Sequence, residues 1–106
     1  MEAWRPLKAI RLTRLALQDL AEIRTYTRGQ FGAEQERRYL EALRRHFEQL
    51  RDLPGEGRLY PTSTTLRVSI FRPHRIFYEA TGAGIAIKRV VHAARNLDLL
   101  LGDSPE

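Results

Sequence analysis

The sequence predicts an α+β domain: a short N-terminal strand, a two-helix antiparallel hairpin, then a three-stranded antiparallel meander sheet. Three observations predict it. Apolar residues recur at helical spacing through two adjacent segments of the first half. Strict alternation replaces that period after residue 65. Glycine or proline stands where one pattern gives way to the next.

Each element follows in order. Residues 8–12 (KAIRL) alternate weakly and suit a short strand, after which Thr13 is a good helix N-cap. From 14 to about 30, Ala16, Leu20, Ile23 and Thr27 fall at helical spacing, with Leu17 and Tyr26 widening the stripe. Gly32 breaks that run. A second helix is expected over 33–53, with Tyr39, Leu40, Leu43, Phe47, Leu50 and Leu53 on one face. Its other face carries opposite charges four apart, such as Glu34 with Arg38 and Glu41 with Arg45. Pro54 and Gly55 end it, and the short link between the helices makes them an antiparallel pair. Residues 57–61 read as a turn-rich connector. Residues 65–72 (TLRVSIFR) alternate, with Leu66, Val68 and Ile70 on one side and Arg67, Ser69 and Phe71 on the other. A turn at Pro73, a strand over 75–81, the Gly82-Ala83-Gly84 hairpin turn and a last strand over 85–93 complete the meander. Parity breaks inside that last strand, because Ile85 and Ile87 face one way and Val90 the other.

The 106 residues suit a single domain, 1–106 with a core of about 8–101. There is no cysteine, which removes disulfides, thiolate chemistry and Cys-ligated zinc, and which fits a reducing cytoplasm. No apolar run approaches the roughly 18 residues of a membrane span, and basic residues interrupt any leader-like pattern at the start. The expected location is therefore the cytoplasm, with no membrane partner. The net charge of +5 is unevenly placed. Residues 57–95 carry seven basic side chains against Glu79 alone, whereas residues 16–56 carry seven basic and eight acidic. A concentrated basic region implies an anionic partner, either an acidic protein segment or nucleic acid.

Familiar catalytic patterns are missing. His46, His74 and His92 are the only histidines, and no two have metal-ligand spacing on one element. The sequence holds no G-x-S-x-G, Walker or G-x-G-x-x-G motif, so neither a cofactor nor a metal is expected. Asp19 and Glu22 read as helix-surface charge, and His46 as a partly exposed helix residue. What remains is a set of basic groups on strands: Arg67, Arg72, Arg75 and Arg89 with His74 and His92. They are expected to converge on the sheet face that the helices leave open. Guanidinium groups there suit carboxylate or phosphate recognition, since they bond both in bidentate fashion.

Several runs are familiar: LTRLALQDLAEIRTYT over 12–27, the F-G and Y-L-x-x-L of 31–43, and the pair Gly57-Arg58. The densest is LRVSIFRPHRIFYEATGAGIAIKRVVHAARNL over 66–97. Together the R-I-F-Y core, the I-x-R-V-x-H segment and Arg95 make the chain resemble the ParE branch of the ParE/RelE toxin superfamily, over about 12–100.

That resemblance implies a RelE/ParE-like fold, a ParD-like antitoxin in a hetero-oligomer, and DNA gyrase as the target. It also implies a rival, because RelE-like relatives cleave mRNA on the ribosome with basic side chains and commonly a C-terminal tyrosine. Arg95 matches a basic residue of that nuclease site, but Leu101 stands where the aromatic would fall, and no tyrosine follows Tyr78. Arginine is a poor proton acceptor, which leaves His74 and His92 as the only substitutes. The reading favoured is a non-enzymatic gyrase inhibitor. The alternatives are a ribosome-dependent endoribonuclease and an inactive module that retains antitoxin binding. Arg67, Arg72, His74, Arg75, Arg89, His92 and Arg95 are the candidates for target or antitoxin contact. Direct nucleic-acid binding ranks below a protein partner.

Overall fold

A computed structural model describes residues 8–94. The elements are β1 (Ala9–Leu12), α1 (Arg14–Phe31), α2 (Ala33–Asp52), a 3₁₀ turn (Pro54–Glu56), β2 (Arg58–Leu59), β3 (Arg67–Phe71), β4 (His74–Thr81) and β5 (Gly84–His92). The fold class is the expected one: a helix hairpin followed by an antiparallel β3–β4–β5 meander. The sheet is larger than the meander alone. Its order is β1-β5-β4-β3-β2, with β1 parallel to β5 and every other pair antiparallel. The connector after α2 supplies the two-residue β2, which the turn-rich sequence there concealed.

The entry into the sheet is set by two residues. Thr13 caps α1 by accepting the Ala16 N–H at 3.1 Å, while its own hydroxyl donates to the Lys88 carbonyl at 2.9 Å. One side chain thus ends β1, starts α1 and ties both to β5. Gly84 begins β5 with φ +152°, and a Cβ there would lie 1.9 Å from the Ala9 carbonyl oxygen. Only glycine lets β1 approach so closely.

The parity break in β5 is a bulge. Phe77 pairs with Arg89 and Tyr78 with Ile87, so Lys88 has no opposite number. The extra residue brings Val90 back to the side of Ile85 and Ile87, and all three join one core. That core packs Ala16, Ile23, Leu43, Phe47 and Leu50 of the helices on Ile76, Tyr78, Ile85, Ile87 and Val90 of the sheet. The expected helix stripes hold at their centres and fail at their margins. Leu17, Tyr26 and Leu53 are 52, 63 and 62% exposed.

In β3 the alternation is as expected, but the helices cover its less apolar side. Ser69 and Phe71 face α2, where Ser69 Oγ meets His46 Nε2 at 2.8 Å and Phe71 packs on the rings of Tyr39 and His46. Ile70 is left 57% exposed on the far side. Phe77 also lies on that far side and is fully buried, edge-on to Tyr60.

Candidate binding groove

Past Leu12, β1 no longer covers the edge of β5, and a buried N–H there needs a partner. Asp19, on the first turns of α1, supplies it: Oδ2 accepts the Val90 N–H at 2.9 Å. The same carboxylate takes two bonds from Arg89, Nε to Oδ2 at 2.8 Å and Nη2 to Oδ1 at 2.9 Å. The side chains of the pair are only 12% and 8% exposed. Bonding to Asp19 raises the Arg89 pKa against the opposing effect of burial. This corrects the reading of Asp19 as surface charge. The signal was present, since Asp19 shares its helix side with Ala16 and Ile23.

Beside this ion pair opens a groove of about 720 Å³ between α1, the start of α2 and the adjoining ends of β4 and β5. Ile23 and Val90 form apolar lining, and Tyr26 and Phe31, 63 and 65% exposed, stand in it as large uncovered aromatics. His74 and His92 line it from the sheet and Arg72 from the β3–β4 turn. His74 and His92 are opposite each other across β4 and β5, with ring centroids 5.6 Å apart and edge-on. Tyr39 reaches from α2 to place its hydroxyl 2.6 Å from His74 Nδ1. Burial pushes the His74 pKa down, His92 adds to that, and Asp19 opposes it. Burial pushes the Tyr39 phenol up to about 12.

The expected convergence on the helix-free face does not occur. Strand alternation turns Arg67, His74 and His92 toward the helices and Arg75 away from them. Arg67 donates to the Gly57 carbonyl at 2.7 Å and so helps to hold the connector. The Arg75 Nε is buried with no hydrogen-bond partner among the described residues. Arg89 is bound to Asp19. The structure therefore gathers Arg72, His74 and His92 and separates the other described candidates from them. Arg95 and Leu101 lie outside the described residues. His92 is exposed at the end of β5, not a core histidine. Sequence reasoning missed Tyr39, whose partner is 35 positions away, and the aromatic pair Tyr26 and Phe31, which it had assigned to core or passed over.

Chemically the groove offers donors and apolar surface. Among the described residues no group of three or more His, Asp or Glu side chains is placed to hold a metal ion. No described helix is long and apolar enough to cross a membrane.

The chain resembles known proteins along nearly its whole length. Residues 10–97 match the model of the ParE toxin of type II toxin–antitoxin systems, parDE. Toxin ParE1 of Caulobacter vibrioides is 33% identical over 100 residues, which covers 91% of this chain and all of that one. A chain from the chromosomal ParDE toxin–antitoxin system of P. aeruginosa superposes with a TM-score of 0.69 at 19% identity, covering 81% of this chain and 96% of the other. That last likeness concerns the fold.

Proposed function

The chain belongs to the ParE toxin family of type II toxin–antitoxin systems, and from that premise we propose that it is a cytoplasmic toxin acting by stoichiometric binding. In this reading it inhibits DNA gyrase and is neutralised by a ParD-like antitoxin whose acidic, amphipathic segment lies in the groove between α1 and the ends of β4 and β5. The observation that carries the reading is the groove's composition. Uncovered aromatics and aliphatic lining sit beside the Arg72 guanidinium and two imidazoles, which suits a peptide with apolar and carboxylate side chains. Arg72, His74 and His92 are the proposed contacts. Arg67 and Arg89 are assigned to structural roles here, Arg75 lies on the other side of the sheet from the groove, and Arg95 stays a candidate on family grounds alone.

One observation favours a second reading. Tyr39, His74, His92 and Arg72 stand together at the groove mouth, and such groups can move protons and steady a phosphorane. This is the ribosome-dependent endoribonuclease. A third, the inactive module, keeps the groove and lacks the poison.

Purified components separate the three, with gyrase supercoiling in one assay and translating ribosomes in another. The expected result is inhibition of supercoiling, with mRNA left intact. A folded His74→Ala or His92→Ala variant should then change potency only as far as one contact allows. Ribosome-dependent cleavage that falls about 100-fold or more in either variant would select the nuclease. No effect in either assay, with antitoxin still bound, would select the inactive module.

A further inference from the structure

The two imidazoles at the groove mouth have their inner nitrogens already engaged. His92 Nδ1 accepts the Ala94 N–H at 3.1 Å. A nitrogen that accepts carries no proton, so the neutral ring holds its hydrogen on Nε2. His74 Nδ1 lies 2.6 Å from the Tyr39 hydroxyl, and no other partner for that hydroxyl is seen among the described residues. Burial keeps the phenol protonated, with its pKa pushed up to about 12. Donation from the O–H to Nδ1 gives that hydrogen a partner and leaves His74, too, with its own hydrogen on Nε2. Two N–H donors and the exposed Arg72 thus share one mouth.

We propose that this mouth is a carboxylate-recognition site, in which the Nε2–H groups of His74 and His92 and the Arg72 guanidinium bind an aspartate or glutamate side chain from the acidic segment of a protein partner. The assignment rests on the reading of the groove as a partner seat and adds to it the residues and their tautomers. A carboxylate is favoured over a nucleic-acid backbone by what surrounds the mouth. Asp19 and Glu22 line the same groove from α1, and a run of phosphates would pass them. A peptide instead needs only one anion here and can set aliphatic side chains on Ile23, Val90 and Tyr26.

The site is also proton-linked. His74 faces Tyr39 from α2, His92 from β5, Arg72 from the β3–β4 turn, and Asp19 and Glu22 from α1. A carboxylate bound beside His74 favours its protonated form. Binding therefore strengthens as pH falls through the His74 titration and weakens as pH rises.

Imidazole nitrogen and proton resonances of the full chain test this directly, because only three histidines contribute. The probes are acetate, its neutral isostere acetamide, and inorganic phosphate. Both neutral rings should show the Nε2–H tautomer. Acetate should shift His74 and His92 saturably and leave His46 unmoved, while acetamide does nothing. Tyr39→Phe, which keeps the ring, should free Nδ1 and weaken acetate about 5-fold, the worth of one ordinary hydrogen bond. His92→Gln, at an exposed strand end, should weaken it similarly and guards against misfolding of the first variant. An Nδ1–H tautomer at His74, an acetate response no larger than that of His46, or unchanged affinity in both variants would overturn the site. Phosphate binding more than about 10-fold tighter than acetate would overturn the carboxylate assignment in favour of a nucleic-acid backbone. Neither antitoxin nor gyrase takes part, so failure here leaves the toxin reading intact. Acetate binding with no antitoxin binding would sink the partner and leave the site.

Discussion

The β4–β5 ribbon is covered in two different ways at its two ends, and the contrast separates what holds this protein together from what it presents. At the hairpin end, β1 pairs with residues 84–87 and supplies backbone partners to the edge, while Ile85 and Ile87 disappear under the helices. At the far end no strand continues among the described residues. One carboxylate, Asp19, takes over the edge N–H of Val90, and polar rings, His74 and His92, stand where the hairpin end has isoleucines. Apolar burial is tolerant of small shifts and exposes nothing. A polar end needs fixed partners and leaves donors aimed outward. The groove belongs to the second kind of end.

The comparison breaks first at the closed end. Phe47 is 6% exposed in the core and lies with Leu12 and Leu20 on the β1 side of the helix hairpin. Phe47→Ala should cost about 3–5 kcal/mol in urea or thermal unfolding, the range for a buried aromatic. A loss below about 1 kcal/mol would show that apolar burial is not what closes this end.

The open end should respond to charge instead of volume. Asp19→Asn keeps the shape but takes from the mostly buried Arg89 the carboxylate that it bonds twice, and should cost about 3 kcal/mol, the lower part of the range for breaking a buried pair. The double variant Asp19→Asn with Arg89→Met should recover at least half of that loss, because the buried cation deprived of its bonded carboxylate is gone. If the double variant is no more stable than the single, the carboxylate serves only the Val90 N–H and the ion pair is incidental.

A third effect is smaller and depends on pH. His74 has its pKa lowered by burial and by His92 relative to an ordinary histidine near 6.5. Between its folded and unfolded values, the unfolded chain therefore binds more protons, so stability rises with pH across that interval. The contribution is complete above about 6.5 and is lost as pH falls through the folded value. His74→Gln should flatten this slope between pH 5 and 7 in denaturant midpoints, while His46, lowered mainly by its own burial, leaves a residual slope. An unchanged profile would mean that burial and His92 do not hold down the ring's proton affinity.

Sequence revealed the closed end far better than the open one, for a physical reason. Helix stripes, the Gly82–Gly84 turn and the alternation of β3 are local periodicities, and each element appears where its period does. Asp19 sits on a helix whose pattern cannot say that a strand 71 residues later lacks an edge partner. The partnership of Tyr39 with His74, 35 positions apart, is likewise beyond any local period. In β3 both sides carry apolar residues, so alternation alone did not tell which side the helices would cover, and the arginine cluster expected on the free face followed from the wrong choice. The bulge at Lys88 was half visible, as a parity break without its cause.

The finest test of the comparison concerns residues that the fold does not need. Tyr26 is 63% exposed on α1 and lines the groove, so it contributes little to either end's stability. Tyr26→Ala should change unfolding free energy by no more than about 0.5 kcal/mol, as an exposed substitution free of special contacts does. If the groove is a partner seat, the same variant should weaken antitoxin binding about 10-fold or more, since a tyrosine covered on binding is a common hot spot. Leu53 makes the matching control: it is 62% exposed, at the end of α2 and away from the groove. Leu53→Ala should leave affinity within about 2-fold, because a residue outside the seat covers no new surface on binding. Calorimetry on both variants reads stability and affinity from one preparation. Equal affinity losses at the two positions would mean that the partner wraps the hairpin at large, and that the polar end of the ribbon has no special claim to it.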